Sequence, residues 1–141
     1  MVRLLLDVPH YYQERGVPLC SLWCLKMVYQ YHGLQRSVAE ILAEVQRIPN
    51  GVYIQEVARH ALANGFAAEL TTRDTTRLPV AYGQMGREEV LADLRRRLAE
   101  ERPGERQQAY LSGLARFMEA GGELRLGVPT PSRAISPPAV R

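Results

Sequence analysis

The chain has 141 residues, of which 46% are apolar and 23% charged, and its formal net charge is +3. This length and composition indicate one domain with a core of its own and argue against wholesale disorder. The pI near 9.1 does not predict nucleic-acid binding, because the arginines are dispersed among acidic residues, as in Arg87-Glu-Glu89, and no basic run is interleaved with aromatics.

No targeting or membrane-spanning segment is predicted. The N-terminal segment Met1-Val-Arg-Leu-Leu-Leu-Asp7 contains an apolar run too short for a signal peptide, and Asp7 interrupts it. No stretch approaches the roughly 18–20 apolar residues that cross a bilayer. Two cysteines four residues apart, Cys20 and Cys24, cannot build a disulfide framework. We therefore expect a soluble, cytoplasmic protein with reduced thiols and no membrane partner.

The first part of the chain is predicted to begin with a strand, a loop and an apolar helix. Residues 2–8 indicate a short strand, and residues 11–18 a loop with glycine and proline breakers. Residues 20–31 are apolar nearly all round, which predicts a mostly buried helix. Gly33 then supplies a left-handed C-terminal stop.

Two further helices and a strand are predicted next. Ser37-Val-Ala-Glu40 has the form of a capping box and starts a helix that runs to about residue 47. Residues 53–63 predict a third helix, which Asn64-Gly65 ends, and residues 66–70 a short strand. The residues predicted to face inward are Ile41, Leu42 and Val45 in the first of these helices and Ile54, Val57, Ala58, Ala61 and Leu62 in the second.

A polar, turn-rich stretch at residues 71–86 is the best internal boundary. Beyond it, two amphipathic helices are predicted on either side of Pro103-Gly104, followed by a strand at residues 123–126. The last fifteen residues contain four prolines, which predicts a disordered tail. The predicted organisation is α+β, with a helical subdomain at 1–70, a helical extension at 71–126 and a proline-rich tail at 127–141.

Cys20 lies at the predicted start of the apolar helix, with Gln13 seven residues before it. A helix N-terminus carries unpaired N–H groups and partial positive charge, which favour a thiolate and an oxyanion. The side-chain amide of Gln13 is close enough in sequence to add a donor to the same pocket. Cys20 therefore has two interpretations: a nucleophile that attacks a carbonyl group, or an inert cysteine buried in the helix packing.

The other thiol and the histidines give no clear partner for that nucleophile. Cys24, one turn further along, is predicted to be buried and to have a packing role. His10 lies in the preceding loop, His32 at the predicted helix end, where it has a capping role, and His60 on the solvent side of its helix. Metal binding by two cysteines would need two further ligands, which these isolated histidines do not supply, so no metal or cofactor is predicted.

The pattern Val8-Pro-His-Tyr-Tyr-Gln13, followed by Cys20, Cys24 and Tyr31-His-Gly33, resembles that of the papain-like cysteine peptidases that remove double-glycine leaders from bacteriocins, and of their bacterial relatives. The match covers about residues 7–66. The resemblance implies a papain-like fold and a thiol protease, hence a hydrolase, acting on a peptide or protein substrate. It also implies that Cys20 is the nucleophile and that Gln13 lines the oxyanion hole.

The chain departs from the family pattern in two places. The family's Asp-Cys-Gly-Pro is replaced by Leu19-Cys20-Ser21-Leu22. The family's base is a histidine that opens an apolar strand in the second half, and this sequence has no histidine after Phe66. The resemblance therefore implies the N-terminal half of a papain-like domain, truncated before its sheet half and lacking the catalytic histidine.

These observations leave three functions open. The favoured one is a cysteine peptidase-like protein whose base is missing, supplied by another chain or improvised from His10, His32 or His60, so that full activity of the isolated chain is not expected. The second is a non-catalytic module that binds a peptide or protein partner on the same scaffold. The third is a half-domain whose exposed apolar faces lead to self-association or to binding of a missing second half.

Overall fold

The computed structural model describes residues 6–13 and 15–127, which form five α-helices, one 3₁₀ helix and two short strands. In chain order these are α1 (Cys20–Tyr31), α2 (Val38–Ala43), α3 (Ile54–Ala63), β1 (Glu69–Thr72), the 3₁₀ helix (Val80–Gln84), α4 (Arg87–Glu100), α5 (Glu105–Glu119) and β2 (Glu123–Leu126). The predicted α+β class is confirmed. None of the described helices is both long enough and apolar enough to cross a bilayer.

Helix α1 begins and ends where the sequence predicts, but it is less buried than predicted. Gly33 follows it with a φ of +82°, and the Leu34 N–H donates to the Tyr29 carbonyl at 2.8 Å. Val28 and Tyr31 are 45% and 42% exposed. Among the described residues, α2 and α3 contact α1 and the Tyr11 ring lies against Trp23 and Lys26, and these contacts leave Val28 and Tyr31 exposed. The residues of α1 that are buried are Leu22, Leu25 and Tyr29.

Helix α2 has the predicted cap and a shorter length than predicted. The Ser37 hydroxyl accepts the Glu40 N–H at 3.1 Å, and Ile41 is fully buried while Leu42 and Val45 are half-buried. The helix ends at Ala43 rather than near residue 47. Glu44 is its C-cap, with its N–H donating to the Ile41 carbonyl, and the N–H of Gln46 donates to the Glu56 carboxylate of α3 rather than continuing the helix.

Helix α3 has nearly the predicted ends but a different inward face. Asn64 is its C-cap, and Gly65 follows with a φ of +89°. Val57 is buried as predicted, and the predicted inward residues Ala58, Ala61 and Leu62 are half-buried and pack against the apolar clusters. The prediction that Ile54 faces inward is wrong, since it is 55% exposed. The buried residues of α3 are Gln55, Glu56, Val57 and His60.

Two apolar clusters lie on either side of α3, which packs against both α1 and α5. The smaller cluster lies between α1, α2 and α3 and consists of Leu19, Leu22, Leu25, Tyr29, Ile41 and Val57. The larger joins the 3₁₀ helix, α4 and α5 and consists of Leu78, Tyr82, Val90, Leu91, Leu94, Tyr110, Leu111, Leu114, Ala115, Phe117 and Met118. The predicted subdomain at 1–70 and extension at 71–126 therefore share the α3–α5 contact.

Strands β1 and β2 form a parallel pair in which Glu69 is opposite Glu123 and Thr72 is opposite Leu126. Strand β2 is where the sequence predicts it. Strand β1 begins at Glu69, three residues later than the predicted start at Phe66. The Phe66 ring instead stacks on the Tyr29 ring, with 5.3 Å between the ring centroids. Of the predicted strand at 2–8, residues 1–5 lie outside the described residues and 6–8 form no strand. The predicted tail lies outside them from residue 128 onwards.

Candidate functional site

Cys20 is the first residue of α1, and its side chain is exposed. This exposure rules out the interpretation of Cys20 as a buried packing residue. The preceding Leu19 offers no side-chain cap, and its carbonyl accepts the N–H groups of Leu22 and Trp23 at 3.1 and 3.2 Å. The first turn of α1 contains no acidic residue, whereas the first turns of α2, α3, α4 and α5 each contain a glutamate. The positive end of α1 is therefore not neutralised from within its own first turn.

Gln13 lies in the loop that leads into α1, and its side chain is exposed. Its amide nitrogen donates to the carbonyl of Val17, which also accepts the N–H of Leu19 at 2.9 Å. Gln13 therefore braces the turn just before Cys20. Within the described residues no hydrogen bond joins Gln13 to Cys20, but a carboxamide has two N–H donors and this contact uses one of them.

A turn between α2 and α3, formed by residues 48–51, packs against the loop that leads into α1. Ile48 and Gly51 exchange backbone hydrogen bonds of 2.8 and 3.1 Å. Gly51 is buried, has a φ of +140°, and a Cβ at this position would lie 3.0 Å from the carbonyl oxygen of Pro18. This close approach requires glycine at position 51. The residue that it contacts, Pro18, lies two positions before Cys20 in the loop. The contact joins residues 33 positions apart in the chain, so no local sequence pattern indicates it.

The prediction that Cys24 is buried is wrong, because its side chain is exposed and unpaired with any other cysteine. Cys20, Cys24, Val28 and Tyr31 are all exposed, and their spacing of four, four and three residues puts them on one side of the helix. We call these four residues the α1 outer face. Because the α2 and α3 contacts bury the opposite side, this face presents two thiols and two apolar side chains to solvent.

The prediction that His60 faces solvent is also wrong, because its side chain is only 2% exposed. Its Nδ1 lies 2.6 Å from the Tyr29 hydroxyl and 3.2 Å from the Asn64 amide, and its Nε2 lies 3.2 Å from a Glu44 carboxylate oxygen. Burial lowers the pKa of His60 despite the charge of Glu44, and burial raises the pKa of Tyr29 to about 12. The Glu44 carboxylate beside Nε2 favours the tautomer with its proton on Nε2, and in this tautomer Nδ1 accepts a hydrogen bond from the Tyr29 hydroxyl.

None of the three histidines forms a hydrogen bond with Cys20 in the part of the chain that the structure describes. Tyr29, to which His60 is bonded, lies about 13 Å along the α1 axis from Cys20, at about 1.5 Å per residue. His32 lies further still, at the C-cap of α1, with its ring against Phe66 at 5.4 Å. His10 is exposed and its ring packs against that of Tyr12 at 5.0 Å.

The sequence reasoning missed a buried polar network centred on Glu56. Its carboxylate, 1% exposed, accepts the Gln46 N–H at 2.9 Å, an Arg59 N–H at 2.9 Å and an Arg116 N–H at 2.8 Å. Burial alone would raise the pKa of Glu56, but these donors and charges hold it below its ordinary value. The neighbouring Gln55 amide donates to the Tyr110 carbonyl at 3.0 Å. This network connects α3 to α5 and to the end of α2.

The only signal for this network in the sequence is the i, i+3 spacing of Glu56 and Arg59, which by itself predicts an exposed pair. The partner that explains the burial, Arg116, is sixty residues away in the chain, beyond the reach of local patterns.

Among the residues that the structure describes, no three histidine, cysteine, aspartate or glutamate side chains come together as a metal site. In comparisons with known proteins, no protein-family model, no curated protein and no solved structure matches this chain.

Proposed function

We propose that this chain is a cysteine peptidase-like protein with Cys20 as its nucleophile, and that it lacks an internal general base. The observation that carries the proposal is the exposed Cys20 thiol at the first position of α1, where no acidic residue of the first turn neutralises the positive helix end. The helical segment closed by Gly33 and followed by the Ser37-capped helix supports a papain-like scaffold as part of the same proposal.

The chemistry begins with attack of the Cys20 sulfur on a peptide or activated acyl carbonyl. The carbonyl oxygen becomes an oxyanion, which the N–H groups at the start of α1 and the second N–H of Gln13 stabilise. Collapse of this intermediate forms a thioester and expels the leaving group. An amine needs a proton in order to leave, and a general acid–base group contributes about 10²–10⁴-fold to such a step. Without that group, activated esters react while peptide bonds turn over slowly.

The substrate peptide or protein binds along the α1 outer face. Val28 and Tyr31 are large apolar side chains left in solvent on the same side as Cys20, and exposed apolar groups that cluster mark interaction sites. The peptide or protein that reaches the thiol therefore lies along this face of α1.

The test is a burst experiment with p-nitrophenyl acetate, in the presence and absence of imidazole. We expect one acetyl group per chain to be transferred to Cys20. After subtraction of the direct reaction of imidazole with the ester, measured with Cys20→Ser, imidazole should accelerate the Cys20-dependent turnover at least about tenfold by replacing the missing base. Cys24→Ser is the matched control, because Cys24 is exposed on the same helix face one turn away. The proposal fails if Cys20→Ser leaves the burst intact or if Cys24→Ser removes it.

A second candidate function is a non-catalytic peptide-binding module on the same scaffold. It is favoured by the lack of any hydrogen bond between a histidine and Cys20 in the described residues and by the open α1 outer face. On this alternative, Cys20→Ala leaves binding of a peptide or protein partner unchanged and no acetyl-enzyme forms, while Tyr31→Ser weakens binding.

A further inference from the structure

A second candidate site lies outside the cluster around α1. A cavity of about 270 Å³ is enclosed by the 3₁₀ helix, the start of α4, the end of α5 and strand β2. Met85, Val90 and Met118 supply apolar walls, and Arg87 supplies a positive charge. None of the residues that line this cavity belongs to the apolar cluster around α1.

The cavity runs along the edge of β2 rather than over one of its faces. All five residues from 122 to 126 line it. Successive side chains of a strand point to opposite faces, so a cavity over one face would be lined by alternate residues. Strand β1 occupies one edge of β2, and the cavity therefore follows the other edge.

The hydrogen-bond pattern shows which backbone groups point to this edge. The N–H groups of Glu123 and Gly127 donate to Ala68 and Thr72 of the β1 segment at 3.2 and 2.8 Å. In a parallel pair only alternate residues of a strand bond to a given neighbour, so the odd-numbered residues of β2 face β1. The N–H and C=O groups of Leu124 and Leu126 then point to the other edge, where the described residues supply no hydrogen-bond partner. The 3₁₀ helix narrows this edge at Leu126, because a Cβ on Gly83 would lie 3.9 Å from the Leu126 carbonyl oxygen.

The charged residues of the cavity lining are Arg87, Glu123 and Arg125. Glu123 is exposed and lies on the strand face opposite Leu124, so Arg87 is the cation available to an anion. Its guanidinium donates to the Met118 carbonyl and, among the described residues, has no carboxylate within ion-pair distance. The other arginine of the lining, Arg125, is paired with Glu69 at 3.3 Å. Glu88 and Glu89 follow Arg87 in the first turn of α4 and are exposed, but they do not line the cavity.

We propose that this edge cavity binds the C-terminal end of an extended peptide as an added strand beside β2. The peptide backbone pairs with Leu124 and Leu126, its last apolar side chain fills the space between Met85 and Met118, and its terminal carboxylate pairs with Arg87. The small volume suits the end of a chain with one apolar side chain better than a chain that continues through. This inference does not depend on Cys20 or on the function proposed for it.

Amide hydrogen exchange of the isotope-labelled full chain tests the edge directly. In the free protein we expect fast exchange at Leu124 and Leu126 and slow exchange at Arg125, whose N–H faces β1. Addition of a pool of acetylated tetrapeptides ending in Val, Leu, Met or Phe, with free carboxylates, should slow exchange at Leu124 and Leu126 and leave Arg125 unchanged. Protection of Leu124 and Leu126 in a free monomer would show that the chain covers its own edge and would overturn the proposal.

The same peptides test the carboxylate. Amidation of their C-termini and Arg87→Gln should each weaken binding at least about tenfold, whereas Arg96→Gln, an exposed arginine of the same helix, should not. The proposal is overturned if amidated and free peptides bind alike, or if no member of the pool binds with a dissociation constant below about 1 mM. It is equally overturned if light scattering shows a dimer whose Leu124 and Leu126 amides are protected, since a second copy then occupies the edge.

Discussion

The start of α1 and the inner face of α3 are the two chemically distinctive regions of this chain, and they differ in whether their polar groups are already satisfied. On α3, Glu56 and His60 are buried. The Glu56 carboxylate accepts three N–H groups. His60 Nδ1 is bonded to Tyr29, while its Nε2 lies 3.2 Å from a Glu44 carboxylate oxygen without forming a hydrogen bond. At the start of α1, Cys20 is exposed and its positive helix end faces solvent. The charged groups of α3 thus hold the helices together, whereas α1 exposes a reactive thiol to solvent.

A large effect on stability is expected from removal of the central carboxylate of α3. Glu56→Ala leaves Arg59, Arg116 and the Gln46 N–H without their shared acceptor. Because the Arg59 and Arg116 side chains are 25% and 42% exposed and can be hydrated, we expect a cost of about 2 kcal/mol. We expect the free energy of unfolding to fall by that amount in urea denaturation.

Glu119→Ala is the control for this change, because Glu119 pairs with Arg95 at 2.9 Å on the surface and such pairs contribute about 0–1 kcal/mol. Equal losses for Glu56→Ala and Glu119→Ala would contradict the structural role of the network.

The second prediction concerns the support of the thiol loop. Gly51→Ala places a methyl group 3.0 Å from the Pro18 carbonyl at a φ of +140°, so we expect a loss of about 2 kcal/mol in stability and a slower reaction of Cys20 with iodoacetamide. Gly16→Ala is the matched control, because it has a φ of +77° but open space around its Cβ. If both variants slow Cys20 equally, the contact between Gly51 and Pro18 does not position the thiol.

The third prediction is a pH dependence that arises from His60. Burial lowers the pKa of His60 in the folded state, so the unfolded chain binds this proton at a higher pH than the folded chain does. The free energy of unfolding therefore does not depend on His60 above the ordinary histidine pKa of about 6.5. It decreases as the pH falls below this value, with a limiting slope of about 1.4 kcal/mol per pH unit.

Denaturant unfolding between about pH 7 and pH 5 measures this slope. His60→Gln should flatten the slope, whereas replacement of the exposed His32 by Gln should leave it as in the native chain. A slope that His60→Gln does not change would assign the pH dependence to other groups.

The sequence predicts most element ends, because local signals determine them. Cys20 opens α1, Gly33 ends it, Ser37 caps α2, and β2 covers residues 123–126 as expected. Each of these positions depends on residues within a few places of it, through caps, glycine conformations or alternation.

Burial could not be predicted to the same extent. Helix α1 is apolar nearly all round, but the sequence does not say that α2 and α3 cover only one side, so Cys24 and Val28 were expected in the core. On α3, the apolar periodicity favoured Ile54 inward, whereas Glu56 and His60 are buried because Arg116 and Tyr29, distant in the chain, meet them there. The candidate nucleophile could be named from its local pattern, but the position of each histidine depended on tertiary packing.

The most direct test of the central claim compares the alkylation rates of Cys20 and Cys24 in the folded chain, resolved by peptide mass spectrometry. Both thiols are exposed on the α1 outer face, but only Cys20 lies at the positive end of the helix. The account predicts that iodoacetamide modifies Cys20 at least about tenfold faster than Cys24 at neutral pH and that this preference disappears in urea. Equal rates in the folded chain, or faster modification of Cys24, would contradict it.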